Sequence, residues 1–123
     1  MPKNTTVSRK KLIKEGMLKD VTGMAMEDGL LYPTAFTVRA WDEYISPNTR
    51  PSAQGGIKGR IRTVLKRLKE TIEKKTGKWI GSDIVIFPVD IVFTGRCRTV
   101  ELKASCLPGD DGKPVITLAK GED

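Results

Sequence analysis

Ile57, Ile61, Val64, Leu65, Leu68 and Ile72 recur at spacings of four, three, one, three and four. That rhythm lays a single apolar stripe along an α-helix over residues 57–76, and Gly77 closes it. A stripe confined to one face must be buried against another layer of structure.

The layer available to it begins after Gly81, where the pattern changes. Ile84 to Phe93 is rich in β-branched and aromatic residues, with Pro88 implying a sheet edge or a bulge. Thr94-Gly95 reads as a turn. Arg98 to Cys106 then alternates, with Val100, Leu102, Ala104 and Cys106 facing inward and Glu101, Lys103 and Ser105 outward. Pro108-Gly109-Asp110-Asp111-Gly112 reads as a hairpin loop leading into a last strand, Val115 to Ala119.

Before the long helix the chain is a string of short elements. Ser8 can cap a helix ending at Glu15-Gly16, and Thr22 a second one stopped by Gly29. Pro33 biases Tyr32 toward extended angles. Thr37 can cap a third helix with Val38, Trp41 and Ile45 on one face, ended by Ser46-Pro47. Residues 46–56, with two prolines and two glycines, form a loop-rich joint. The expected fold is therefore α+β in one domain, 1–123: short N-terminal helices and one long basic helix packed on a three-stranded antiparallel meander.

Charge is distributed unevenly. The 123 residues carry a net +7. Between Ile57 and Trp79, nine cations (Lys58, Arg60, Arg62, Lys66, Arg67, Lys69, Lys74, Lys75 and Lys78) face only Glu70 and Glu73, so this segment accounts for the whole excess. Lys58, Arg60, Arg62, Lys66, Arg67, Lys69, Lys74 and Lys75 are the candidate polyanion-binding residues, because clustered cations release counterions from phosphates. A solvated helix face explains the same charge without any partner. Only Trp79 adjoins these cations, which argues against single-strand or RNA recognition by base stacking. Gly55-Gly56-Ile57-Lys58-Gly59-Arg60 lacks the spacing of a P-loop and follows no strand, so it reads as a flexible loop.

No stretch approaches the roughly 20 apolar residues of a transmembrane helix, and Met1 to Lys14 lacks the apolar run of a signal peptide. The expectation is a cytoplasmic protein without membrane contact. Cys97 and Cys106 lie nine residues apart in one extended strand. Roughly 30 Å of strand would separate them, against about 7 Å for a disulfide, so both are expected to be reduced and packed.

The chain has no histidine, which removes the commonest general base and every Ser-His or Cys-His nucleophile arrangement. Asp110-Asp111 could approach a divalent cation but reads better as turn chemistry. Glu27-Asp28 and Asp42-Glu43 suit helix surfaces or ends, and Asp90 an outward position beside Pro88. Trp41 and Tyr44 fit a core face better than a ligand pocket. No catalytic residue, metal or cofactor is expected.

Val7-Ser8-Arg9, Glu15-Gly16-Met17-Leu18-Lys19-Asp20-Val21-Thr22, Tyr32-Pro33-Thr34-Ala35-Phe36-Thr37 and the closing string Leu102 through Thr117 resemble a family of small bacterial proteins of unknown function. Its members are often encoded on plasmids and other mobile elements. The resemblance implies a shared fold and a mobile-element setting, and supplies no catalytic residues. The basic stretch Lys58 to Lys78 is no signature of the family, whose equivalent helix is amphipathic, so a charge-based function would be particular to this chain. The expected function is a non-enzymatic binding protein that engages nucleic acid or a nucleoprotein complex through the basic helix. The alternatives are a counter-defence protein directed at a host restriction or CRISPR effector, and a small carboxylate-dependent enzyme. Oligomeric state stays open.

Overall fold

A computed structural model describes residues 8–46, 56–93 and 96–123. Four helices, α1 (Arg9–Lys14), α2 (Thr22–Glu27), α3 (Val38–Ala40, running into a π-helical turn, Trp41–Ile45) and α4 (Ile57–Lys74), accompany six strands. These are β1 (Leu18–Asp20), β2 (Thr34–Thr37), β3 (Lys78–Ile80), β4 (Ile84–Phe93), β5 (Arg96–Pro108) and β6 (Pro114–Lys120).

All six strands join one sheet in the order β1-β2-β6-β5-β4-β3. The pairs are antiparallel except β2 with β6, which run parallel with Thr34 opposite Ile116 and Phe36 opposite Leu118. The three-stranded meander is thus overturned: β4, β5 and β6 form it, but β1, β2 and β3 extend it into a six-stranded mixed sheet. Each added strand is only three or four residues long, too short to show alternation. Moreover, β2 is held by β6, a partner from the far end of the chain.

One face of the sheet forms the core. Val85, Phe87, Val89 and Ile91 of β4 line up beside Val100, Leu102 and Ala104 of β5, then Ile116 and Leu118 of β6 and Phe36 of β2. Onto this face α4 lays Ile61, Val64, Leu65 and Leu68, all buried. Burying one such side chain contributes roughly 1.5–3 kcal/mol. The inward set of β5 is as expected from its alternation. Phe36 and Trp41 meet edge to face with ring centroids 6.0 Å apart, and Tyr44 is buried, so both aromatics of the π turn serve the core.

Helix α4 ends at Lys75, which adopts left-handed angles. Gly77 follows with φ +84, where an added Cβ would sit 3.0 Å from both the Ile86 carbonyl oxygen and Val85 Cγ2. Only glycine lets the helix exit pass this close to β4.

On the other face of the sheet, α1 covers the β1–β2–β6 end. Ser8 caps it as expected, accepting from the Lys11 amide at 3.1 Å. The half-buried Arg9 guanidinium donates to Thr117 Oγ1 and to the Ile116 carbonyl, each at 2.7 Å. Thr37 caps α3 at the Ala40 amide. Thr22, by contrast, does not cap α2: Val21 holds that position, and the Thr22 hydroxyl donates to Asp20 Oδ1 and accepts from the Thr34 amide. Thr22 is drawn off because it ties β1 to β2.

The thiols are free, but the expectation that both are packed fails for Cys97, which is exposed, while Cys106 is half-buried. Cys97 pairs with Val92, which is 58% exposed, and the two-residue alternation puts it on the outer face with Glu101 and Lys103, away from Val100 and Leu102. The Thr94-Gly95 turn and the joint at 47–55 lie outside the described residues.

Candidate interface of the basic helix

At 3.6 residues per turn the cations of α4 do not share one face. Lys58, Arg62 and Lys69 line the flank toward α2. Arg60, Arg67 and Lys74 line the opposite flank, and Lys66 points to solvent between the two. Lys75 lies past the last turn.

On the α2 flank Arg62 and Lys69 are engaged within the fold. Arg62 donates to Glu27 Oε1 at 2.8 Å and approaches Asp28 Oδ1 at 3.4 Å. Hydrogen bonding to Glu27 raises the guanidinium pKa still further, so Arg62 is always charged. Asp28 is nearly buried, and its Oδ2 has no hydrogen-bond partner among the described residues. Lys69 lies 3.9 Å from Glu73, and its ammonium covers Gly29, where an added Cβ would come within 2.6 Å of Nζ. Gly29 has φ +91, so the end of α2 needs glycine both for angle and for space.

On the other flank, Arg60 Nε donates to the Ile45 carbonyl at 2.7 Å, clamping the C-terminal end of the π turn. Arg67 reaches over the sheet: its Nε donates to the Pro88 carbonyl at 3.2 Å and its NH1 to Glu70 Oε1 at 2.8 Å. Lys74 also meets Glu70, at 3.3 Å. Held first by Lys74 and then by Arg67, the Glu70 carboxyl titrates below its usual range. Among the described residues, no ion pair forms to Lys58, Lys66 or Lys75.

Arg67's contact with Pro88 marks an open strand edge. β3 pairs only with Ile84 to Ile86 of β4, so among the described residues β4 beyond Ile86 has no strand on that side. Antiparallel strands direct the N–H and C=O of alternate residues to opposite sides. Since the Pro88 carbonyl points to the open side, Asp90 and Val92 point their backbone groups there too. Proline is tolerated because its missing N–H would have faced that edge, which is the edge position that Pro88 suggested in the sequence. Between α4 and this edge runs a groove of about 610 Å³, with Lys66, Arg67 and Glu70 on the helix wall and Pro88, Asp90 and Thr99 on the strand wall. Thr99 Oγ1 donates to Asp90 Oδ1 at 2.5 Å. The strand wall escapes sequence reasoning, apart from the signal that Pro88 carries, because only pairing shows which side of β4 is vacant.

Asp110 and Asp111 have structural partners. Asp110 accepts from the Arg9 amide at 2.8 Å and the Lys10 amide at 3.0 Å, capping α1 from a distant hairpin. Those two donors hold its carboxyl below the ordinary value. Asp111 accepts from the Lys113 amide within the turn. No group of three or more potential metal ligands forms among the described residues.

Lys120 is the one buried cation among the described residues, at 8% exposure. Its ammonium lies 2.5 Å from Glu43 and 4.0 Å from Glu122. The bond to Glu43 raises the lysine pKa and lowers that of the carboxyl. A nucleophilic lysine needs the opposite shift, so Lys120 is a clamp between the π turn and β6. A second cavity, about 170 Å³ and lined by Leu68, Trp79, Val85 and Cys106 among others, is apolar. Burial pushes the Cys106 thiol up, away from the reactive thiolate.

No described helix is long and apolar enough to cross a membrane. No family model, curated protein or solved structure matches this chain.

Proposed function

We propose that this chain is a non-enzymatic binding protein that engages an anionic partner, nucleic acid or a nucleoprotein complex, through α4 and the groove beside it. One observation carries the reading. The segment that holds the net charge borders an open groove, with Lys66 unpaired among the described residues and Arg67 half-exposed at the rim. Cations so placed release counterions when phosphates approach, and they speed the encounter with any acidic surface. In the mobile-element setting that the terminal strings imply, the partner is a nucleoprotein or defence complex of the host.

The test is a triple reversal, Lys58→Glu with Lys66→Glu and Lys75→Glu. Binding to duplex DNA and capture from a nuclease-treated and an untreated lysate are measured across salt concentrations. The variant should lose at least about tenfold in affinity, and each lost phosphate contact should flatten the salt dependence by about 0.9 in log–log slope. Unchanged affinity and slope toward every anionic partner would refute the reading.

A further inference from the structure

The free edge of β4 and the cations above it form a composite site that neither element makes alone. We infer that it takes an extended acidic peptide, which adds to β4 as a seventh strand; this rests on the reading above that the cations of α4 meet an anionic partner. The edge offers the alternating N–H and C=O groups of Asp90 and Val92. Only another peptide backbone matches both the donors and the acceptors in that rhythm. A nucleic acid has phosphate acceptors to offer but a poor match to the carbonyls. It would also bring uniform negative charge against Glu70 on the helix wall and past the Asp90 carboxylate on the outer face of the strand.

The side-chain requirement follows from the pleat. A strand added here alternates its side chains between the α4 side and the outer sheet face. Those on the α4 side meet Lys66 and Arg67. Those on the outer face lie beside Val92, which is 58% exposed, and beside the Asp90 carboxylate. Acidic residues therefore suit every second position, with β-branched or apolar residues between them. Pro88 and Arg67 close the first part of the edge, so pairing starts at Asp90. To admit the strand, the Arg67 guanidinium leaves the Pro88 carbonyl and turns to a carboxylate of the peptide. Edge-to-edge pairing of two copies would instead set Lys66 and Arg67 against the same cations of the second copy.

The experiment uses the full chain and a fluorescent peptide alternating glutamate with valine, with a lysine–valine peptide and duplex DNA as comparators. Amide exchange of Asp90 and Val92 is followed by NMR. The glutamate peptide should bind, and both amides should become protected. Val92→Pro, which removes an edge donor and leaves the β5 side of the ladder alone, should weaken binding at least about tenfold. Lys66→Glu with Arg67→Glu should do the same.

If the peptide binds and responds to the reversal but the two amides stay unprotected, strand addition is wrong while the electrostatic reading stands. Tighter binding to DNA than to the peptide, with the same loss on reversal, also overturns the peptide and keeps that reading. Self-association that buries Asp90 and Val92 would make the occupant a second copy and overturn the inference. Absence of binding to all probes would remove both proposals. Should Val92→Pro unfold, exchange at the wild-type amides decides alone.

Discussion

The two flanks of α4 have similar side chains and different fates. Toward α2, Arg62 finds Glu27 and Asp28, and Lys69 packs over Gly29. Toward β4, Arg67 finds a lone carbonyl and its own helix's Glu70, above a groove. The difference lies in the neighbours. A carboxylate-tipped helix was available to the first flank, whereas the second faces a strand whose pairing partner, β3, ends too early. Formal charge in a segment is therefore a poor measure of the charge it presents, since Arg62 is tied to two carboxylates while Arg67 overlooks an open groove.

Four measurements would break or sharpen that contrast. The largest effect should come from Leu68→Ala, which hollows the stripe that holds both flanks in place. A fully buried leucine lost to alanine costs about 2–5 kcal/mol, read by denaturant unfolding. A smaller loss would mean that the α4–sheet contact is not the central one.

Next comes the contrast itself. Neutralising the groove flank, Lys66→Gln with Arg67→Gln, should weaken anion binding by about tenfold in titrations at low salt. The same change on the α2 flank, Arg62→Gln with Lys69→Gln, should stay within about twofold, because those cations are already engaged. Equal losses would erase the distinction.

Glu70→Gln should act in the opposite sense, tightening binding by about two- to threefold in the same assay. It removes an anion from the groove and releases Arg67 and Lys74. No gain would show that Glu70 does not compete for these cations.

The smallest effect concerns acid. Lowered carboxyl pKa values at Glu43 and Asp110 mean that their stabilisation is complete above the ordinary values of 4.5 and 3.8. It is lost as pH falls through the lowered values of the folded state. Asp110→Asn should therefore lower the melting temperature near neutral pH, and the gap to the parent should shrink on acidification. A gap independent of pH would show that the carboxylate's charge is not what holds α1, the element over the opposite face of the sheet.

Much of the framework is legible in the residues. The stripe from Ile57 to Ile72 announces α4 because a helix buried on one side must repeat every three or four residues. The alternation in β5 and the proline in β4 are equally local signals. Ser8 and Thr37 reveal their caps because a cap is a contact with the next turn. What local patterns could not carry is anything settled by distant partners. Thr22 has the chemistry of a cap but joins β1 to β2, and Asp110 looks like turn chemistry while holding α1. Leu18–Asp20 and Thr34–Thr37 are strands only because β6 is present to pair with β2.

The same division runs through the candidate site. The sequence by itself determined which segment bears the charge, since composition needs no fold to be read. Tertiary structure alone decided which cations are engaged and which overlook a groove, because an ion pair or a vacant strand edge depends on elements remote in the chain. Where α2 and β3 end in space distinguishes Arg62 from Arg67, and nothing in the neighbourhood of either residue encodes that difference.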